Sequence, residues 1–149
     1  WHMIGHLQTN KVKLITPFVN LIHGVDSLKL LKEIEKRAKQ NNRIIDCLLQ
    51  VHIAQESGKF GFGINEIQQT IKEAEQFKNI KISGLMGMAT FTDNTEQIAA
   101  EFQSLKNVFD RVKNQDISIL SIGMSGDYKI AIEKGSTMIR IGSAIFGSR

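Results

Sequence analysis

Ile117-Ser118-Ile119-Leu120-Ser121-Ile122-Gly123-Met124-Ser125-Gly126-Asp127 and, further on, Arg140-Ile141-Gly142-Ser143 decide how this chain is read. Each Gly-Ser turn follows an apolar, β-like run, residues 117–122 and 137–141. Two neighbouring strands that both end in Gly and Ser expose backbone N–H groups with no Cβ in the way. Oxygen-rich anions such as phosphate bind in that kind of concavity. Arg140, just before the second turn, adds a fixed charge and a planar fork of donors.

Outward from these turns, apolar runs and helical periodicity alternate. Strand-like segments lie at residues 1–5, 21–25, 44–54, 80–89, 118–124 and 137–146. Between them, Ile98, Phe102, Leu105, Phe109 and Val112 step by helical spacing through 95–114, with Asn94 and Gln97 as a capping pair. Ile67, Ile71, Ala74 and Phe77 repeat the pattern in 65–77, as do Leu28, Leu31, Ile34 and Ala38 in 27–40. A short helix over 128–134 has Asp127 as its N-cap and Gly135 as its stop. A first helix is expected near 10–18, with Pro17 in its last turn.

Apolar strands alternating with helices predict an α/β fold with a parallel sheet covered by helices. A doubly wound open sheet and part of a (β/α)8 TIM barrel both fit. No Gly-x-Gly-x-x-Gly opens the first helix, so the dinucleotide fingerprint is missing. Barrels commonly hold phosphate at the loops after their last two strands, where both Gly-Ser turns fall here. That favours an incomplete barrel of about six strands, with the first two missing at the front.

The composition is that of a globular protein. The chain has 149 residues, 42% of them hydrophobic and 23% charged, enough for one domain with a sizeable core. A net charge of +4 comes from lysines spread over the polar sides of helices, which reads as solvated surface rather than a nucleic-acid footprint. The single cysteine, Cys47, sits in an apolar run, excludes an internal disulfide and suits a reducing, cytoplasmic setting. No stretch is long and apolar enough to span a membrane. The chain starts inside a strand-like segment at Trp1, so it is expected to be a piece of a longer barrel.

The candidate site residues each have a bland reading as well. Ser125 and Gly126 either bind an anion with the Asp127 amide or only turn the chain; Gly142 and Ser143 tip the balance, because one site would explain both turns. Arg140, inside an apolar strand, needs an acceptor: a ligand atom, or a carboxylate such as Asp127 or Glu133. Met86 and Met88 pack in a core or lie against a flat cofactor. Glu56, Lys59 and Gly61 occupy the loop after the third strand, as site residues or as solvated loop. His2 and His6 share a strand face, but no third ligand falls at metal-binding spacing, and His23 and His52 read as scattered. No Gly-x-Ser-x-Gly elbow is present, and a Cys–His nucleophile pair has no supporting context.

The segment from Trp1 to Lys11, with Gly84-Leu85-Met86, the turn at Gly123–Asp127 and the run from Gly135 to Gly147, resembles the YggS/PROSC family of pyridoxal phosphate homeostasis proteins. The motifs follow in the family's order over essentially the whole chain. The resemblance implies a barrel like the N-terminal domain of alanine racemase, binding pyridoxal 5′-phosphate (PLP) without established catalysis. By it, Ser125, Gly126, Gly142 and Ser143 hold the phosphate, Met86 lies near the ring, and Arg140 faces the pyridine nitrogen. The family's Schiff-base lysine lies on a strand that would precede Trp1, and no lysine here carries over to that role. The resemblance also implies a mostly monomeric complete form, with apo-enzymes that use PLP as candidate partners and no nucleic-acid or membrane partner. A racemase-like PLP enzyme, or a phosphate-binding barrel fragment with another ligand, are the competing readings.

Overall fold

The computed structural model describes residues 1–55 and 60–147. Its strands are β1 (His2–Met3), β2 (Leu21–Val25), β3 (Ile45–Val51), β4 (Ile80–Gly87), β5 (Ile119–Met124) and β6 (Met138–Arg140). They form a single parallel sheet in chain order. Parallel neighbours need a crossover, and helices supply it: α1 (Val12–Ile15), α2 (Leu28–Gln40), α3 (Ile67–Ala74), α4 (Thr95–Val112) and α5 (Tyr128–Glu133), with α6 (Ser143–Phe146) following β6.

Strand alternation sorts the side chains onto two faces. Ile45, Cys47, Leu49 and Val51 of β3 point outward into the main core, where Leu31 and Ile34 of α2, Ile67 of α3 and Phe102 and Leu105 of α4 are fully buried. The opposite parity forms a small second cluster of Leu21, Leu48 and Met86, with Met88, Ile119 and Met138 against it.

The sheet is curled. His23 of β2 lies 3.1 Å from Ser121 of β5, with β3 and β4 between them in the strand order. In a flat sheet, three strand spacings would separate them by roughly 14 Å. Only a barrel-like wall brings both to one interior, which rules out the open-sheet alternative. At the β4–β5 seam the backbones close in on Gly84, where a Cβ would stand 1.9 Å from the Ile119 carbonyl oxygen, so no side chain fits.

Local signals act at several helix ends, as read for Asn94 and Gly135. Ser27 Oγ accepts from the Leu30 N–H at 3.3 Å and Asn94 Oδ1 from Gln97 at 3.1 Å, capping α2 and α4. Gly135 takes φ +84° beyond α5, as expected of a C′ glycine.

Four expectations need correction. The segment 137–146 is not one strand: β6 stops at Arg140, and Ile145 and Phe146 donate back to the Gly142 carbonyl to form α6. The first helix is a 3-10 turn (Thr9–Lys11) and one α-turn, because Pro17 has no N–H to extend it. The opening strand is only His2–Met3, since Gly5 at φ +84° turns the chain away. Asp127 precedes α5 without capping it; its Oδ1 instead accepts from the Met124 N–H at 2.6 Å.

Candidate cofactor site

The inward face carries polar groups at the parity that elsewhere holds Leu21, Leu48 and Met86. Arg140, half-buried on β6, donates from Nη1 to Ser121 O and Ser121 Oγ, both at 2.8 Å, and from Nη2 to Gly87 O at 3.1 Å. The protein partners expected for it were the carboxylates of Asp127 or Glu133; in their place the structure gives it two carbonyls and a hydroxyl. A strand interior offers carbonyls wherever the barrel curls, and residue types do not advertise them. Burial lowers the Arg140 pKa to about 10, partly countered by the Asp127 charge, so the guanidinium is still protonated at neutral pH.

Ser121 is fully buried, and its Oγ also meets His23 Nδ1 at 3.1 Å. His23 Nε2 in turn lies 3.3 Å from His2 Nδ1. Burial, then the positive Arg140, then His2 push the His23 pKa down to about 4, so the ring is neutral at pH 7.

The two Gly-Ser turns meet. Gly123, at φ +96°, swings the chain out of β5 against Ala131, where a Cβ would come within 2.6 Å of the Ala131 methyl. Ser125 Oγ then accepts from the Gly142 N–H at 3.1 Å and the Ala144 N–H at 3.2 Å. Two amides from one turn thus converge on one oxygen from the other. Cβ positions on Gly126 and Gly142 would have no neighbour within 4 Å, so both turns are open on that side. Ser143 is exposed at the start of α6.

Beside these turns, at the C-terminal ends of the strands, lies a pocket of about 290 Å³ lined by Gln50, Phe60, Met88, Thr90, Met124, Asp127 and others. Few polar groups among apolar walls is the usual composition of a small-molecule site. Met88 lines it, while Met86 sits deeper against Leu21 and Leu48 at 1% exposure. The rim is braced from below by Glu101 of α4, a buried carboxylate. Its oxygens accept from the Thr90 N–H and Thr90 hydroxyl, both at 2.7 Å, and from Gln97 at 3.1 Å. Burial alone would raise the Glu101 pKa, but these donors hold it below the ordinary range.

The histidines do not group as sequence parity suggested. His2 turns to His23, whereas His6 sits 3.2 Å from Asp26 Oδ2 and stacks on Phe60 at 4.3 Å. Burial, then the Asp46 charge, push the Cys47 thiol upward, away from nucleophilic use. Glu56 and Lys59 lie outside the described residues; Gly61 leads into Phe62, which pairs back onto β3. No helix among the described residues is long and apolar enough to cross a membrane. Sequence reasoning missed His23, Ser121 and Glu101. The signal for the first two was available: both share Arg140's inward parity in otherwise apolar strands.

Comparison with known proteins places this geometry in context. The family model for the alanine racemase N-terminal domain matches residues 1–149. A pyridoxal phosphate homeostasis protein of Helicobacter pylori is 41% identical over 98% of the chain, and one of Aquifex aeolicus 38% over all of it. The chain spans 66% and 67% of those two relatives' lengths. The structure of PipY from Synechococcus elongatus with PLP bound superposes with a TM-score of 0.86 at 27% identity, covering 99% of this chain and 70% of PipY.

Proposed function

The chain belongs to the pyridoxal phosphate homeostasis proteins, on the alanine racemase N-terminal fold, and from that premise we propose that it is a single barrel domain that binds PLP non-catalytically and serves intracellular cofactor homeostasis. One observation carries the reading: the Gly142 and Ala144 N–H groups of one turn both point at a single oxygen of the other, Ser125 Oγ, at 3.1 and 3.2 Å. A phosphate oxygen is a stronger acceptor than a hydroxyl, and amides that already meet at one oxygen suit it. The open flanks of Gly126 and Gly142 leave room for the remaining phosphate oxygens.

The residues present fit the cofactor. Ser125, Gly126, Gly142 and Ser143 hold its phosphate by hydroxyl and amide donors. Arg140 faces the pyridine nitrogen, and Met86, with Met88 above it in the pocket wall, supports the ring from the apolar side. When bound, PLP supplies an aldehyde that condenses with amines and a ring that can draw electrons from them. Arg140 can only donate, so it keeps a ring nitrogen set against it unprotonated and weakens that electron sink. This favours storage and delivery over catalysis, and apo-enzymes that need PLP are the recipients.

Titration of the purified protein with PLP, followed by absorbance and fluorescence, tests the proposal. Ser125→Ala and Arg140→Ala should each weaken binding by about tenfold, the scale of one hydrogen bond to a charged group. Borohydride treatment followed by mass spectrometry should leave no adduct confined to one lysine of this chain. Unchanged affinity and spectrum in Arg140→Ala would remove Arg140 from the site.

A further inference from the structure

We propose that Ser121 and His23 are positioning residues for Arg140: the buried chain Arg140 Nη1–Ser121 Oγ–His23 Nδ1 fixes where the remaining guanidinium N–H groups point, and so sets the protonation state of a ring nitrogen bound against them. The inference rests on the PLP reading above for its ligand, but not for its geometry.

Hydrogen counting gives the chain a direction. Ser121 is 0% and His23 2% exposed, so water does not complete their bonding. Ser121 Oγ accepts from Arg140 at 2.8 Å, and its own hydrogen has one acceptor within reach among the described residues, His23 Nδ1 at 3.1 Å. His23 Nδ1 is therefore unprotonated, and its hydrogen resides on Nε2, which donates to His2 Nδ1 at 3.3 Å. Every member is thus locked by the next. Both Nη1 hydrogens are consumed by Ser121, through its carbonyl and its hydroxyl, and one Nη2 hydrogen by Gly87 O. What remains for a ligand is the other Nη2 hydrogen and Nε–H, in an orientation the guanidinium plane dictates.

Without the Ser121 hydroxyl, the guanidinium keeps the Ser121 carbonyl on Nη1 and the Gly87 carbonyl on Nη2 but loses the second bond on Nη1, so its plane is held less tightly. A ring nitrogen then loses its fixed donor and takes a proton from water instead. Removing the His23 acceptor has a related effect, because the Ser121 hydroxyl hydrogen is left without an acceptor and is free to swing against the Arg140 N–H groups, which only donate, weakening the bond the hydroxyl accepts. Asparagine at position 23 preserves the acceptor, since its side-chain oxygen falls near the place of an imidazole Nδ1.

Two measurements on the purified protein test this, on wild type, Ser121→Ala, His23→Leu and His23→Asn. The first, without PLP, is side-chain ¹⁵N NMR. Wild type should show His23 as the Nε2–H tautomer and slowly exchanging Arg140 Nη hydrogens. Ser121→Ala and His23→Leu should speed that exchange by about tenfold, the scale of one hydrogen bond to a charged group, while His23→Asn keeps it slow. The second is PLP titration. Ser121→Ala should lose about tenfold in affinity and move the cofactor band towards that of Arg140→Ala, and adding it to Arg140→Ala should cost nothing more. Unchanged Arg140 exchange in Ser121→Ala, or full additivity with Arg140→Ala, overturns the proposal. Ser121→Ala is the smaller change and decides the matter if His23→Leu does not fold. Wild-type protein that ignores PLP defeats the function proposed above, and the NMR measurement then still decides this one.

Discussion

The outward and inward faces of the same six strands solve different problems. Outward, β3 presents Ile45, Cys47, Leu49 and Val51 to helices whose stripes are equally apolar, and burial alone holds the layers together. Inward, the same strands present Asp46, Leu48 and Gln50, and their neighbours add His23, Ser121 and Arg140. A helix can cover an apolar face but cannot satisfy a row of polar groups, so the inward groups must pair with each other. That requirement selects a curled sheet, in which β2 and β5 come within hydrogen-bonding reach. The outward face therefore determines stability, and the inward face determines geometry.

The sharpest way to break this comparison is to remove the largest fully buried outward side chain. Phe102→Ala on α4 deletes an aromatic ring at 0% exposure and should cost about 3–5 kcal/mol in chemical denaturation. If the cost stays below that of inward substitutions, the division of labour is wrong. An inward counterpart is Ser83→Ala. Ser83 sits where the register shifts between Cys47 and Leu48, and its hydroxyl donates to Asp46 Oδ1 at 2.6 Å. Its loss leaves a half-buried carboxylate without that donor and should cost about 1.5–3 kcal/mol in the same assay, with no cavity to repack. A value near that of Phe102→Ala would mean that polar pairing, not burial, carries the stability of this wall.

The sequence was most legible where one principle acted alone. Period-3.6 stripes placed α2, α3 and α4, and Asn94 marked the start of α4 and Gly135 the end of α5 through local signals that need no tertiary context. Legibility failed where a long-range contact outweighed the local pattern. The run from Thr137 to Phe146 is apolar enough for a strand throughout, yet it bends at Gly142 because that turn must meet Ser125 from β5. Arg140 was recognised as needing partners, but its protein partners are two carbonyls, which every residue possesses, and the Ser121 hydroxyl, not a carboxylate. The pairing of the two Gly-Ser turns was readable because both followed strand-like runs and shared one composition. The same argument, applied to polar residues at inward parity, would have exposed His23 and Ser121, whereas treating the histidines as scattered concealed them.

The finest test of the two-face comparison is a pH slope. His23 is buried inward and neutral, with its pKa lowered to about 4 by burial, by Arg140 and by His2. An unfolded histidine titrates near 6.5, so between those values the unfolded chain binds a proton that the folded chain refuses. Stability is therefore full above about pH 6.5 and falls as pH drops towards 4, by at most about 1.4 kcal/mol per pH unit from this group. Glu101, held below the ordinary carboxylate range, adds its own loss only at lower pH, as it takes up a proton. Arg140 remains charged throughout this window, and His2 is the other imidazole in contact with His23, so His2→Gln serves as the control that isolates His23. Denaturation midpoints measured from pH 7 to pH 4.5 should show the decline in wild type and a flatter profile in His23→Asn. The outward substitution Phe102→Ala should shift the whole curve down without changing its slope, because an apolar side chain carries no proton. A slope that follows Phe102 instead of His23 would mean that the inward face does not hold its polar groups in fixed protonation states, and the distinction between the faces would reduce to hydrophobicity alone.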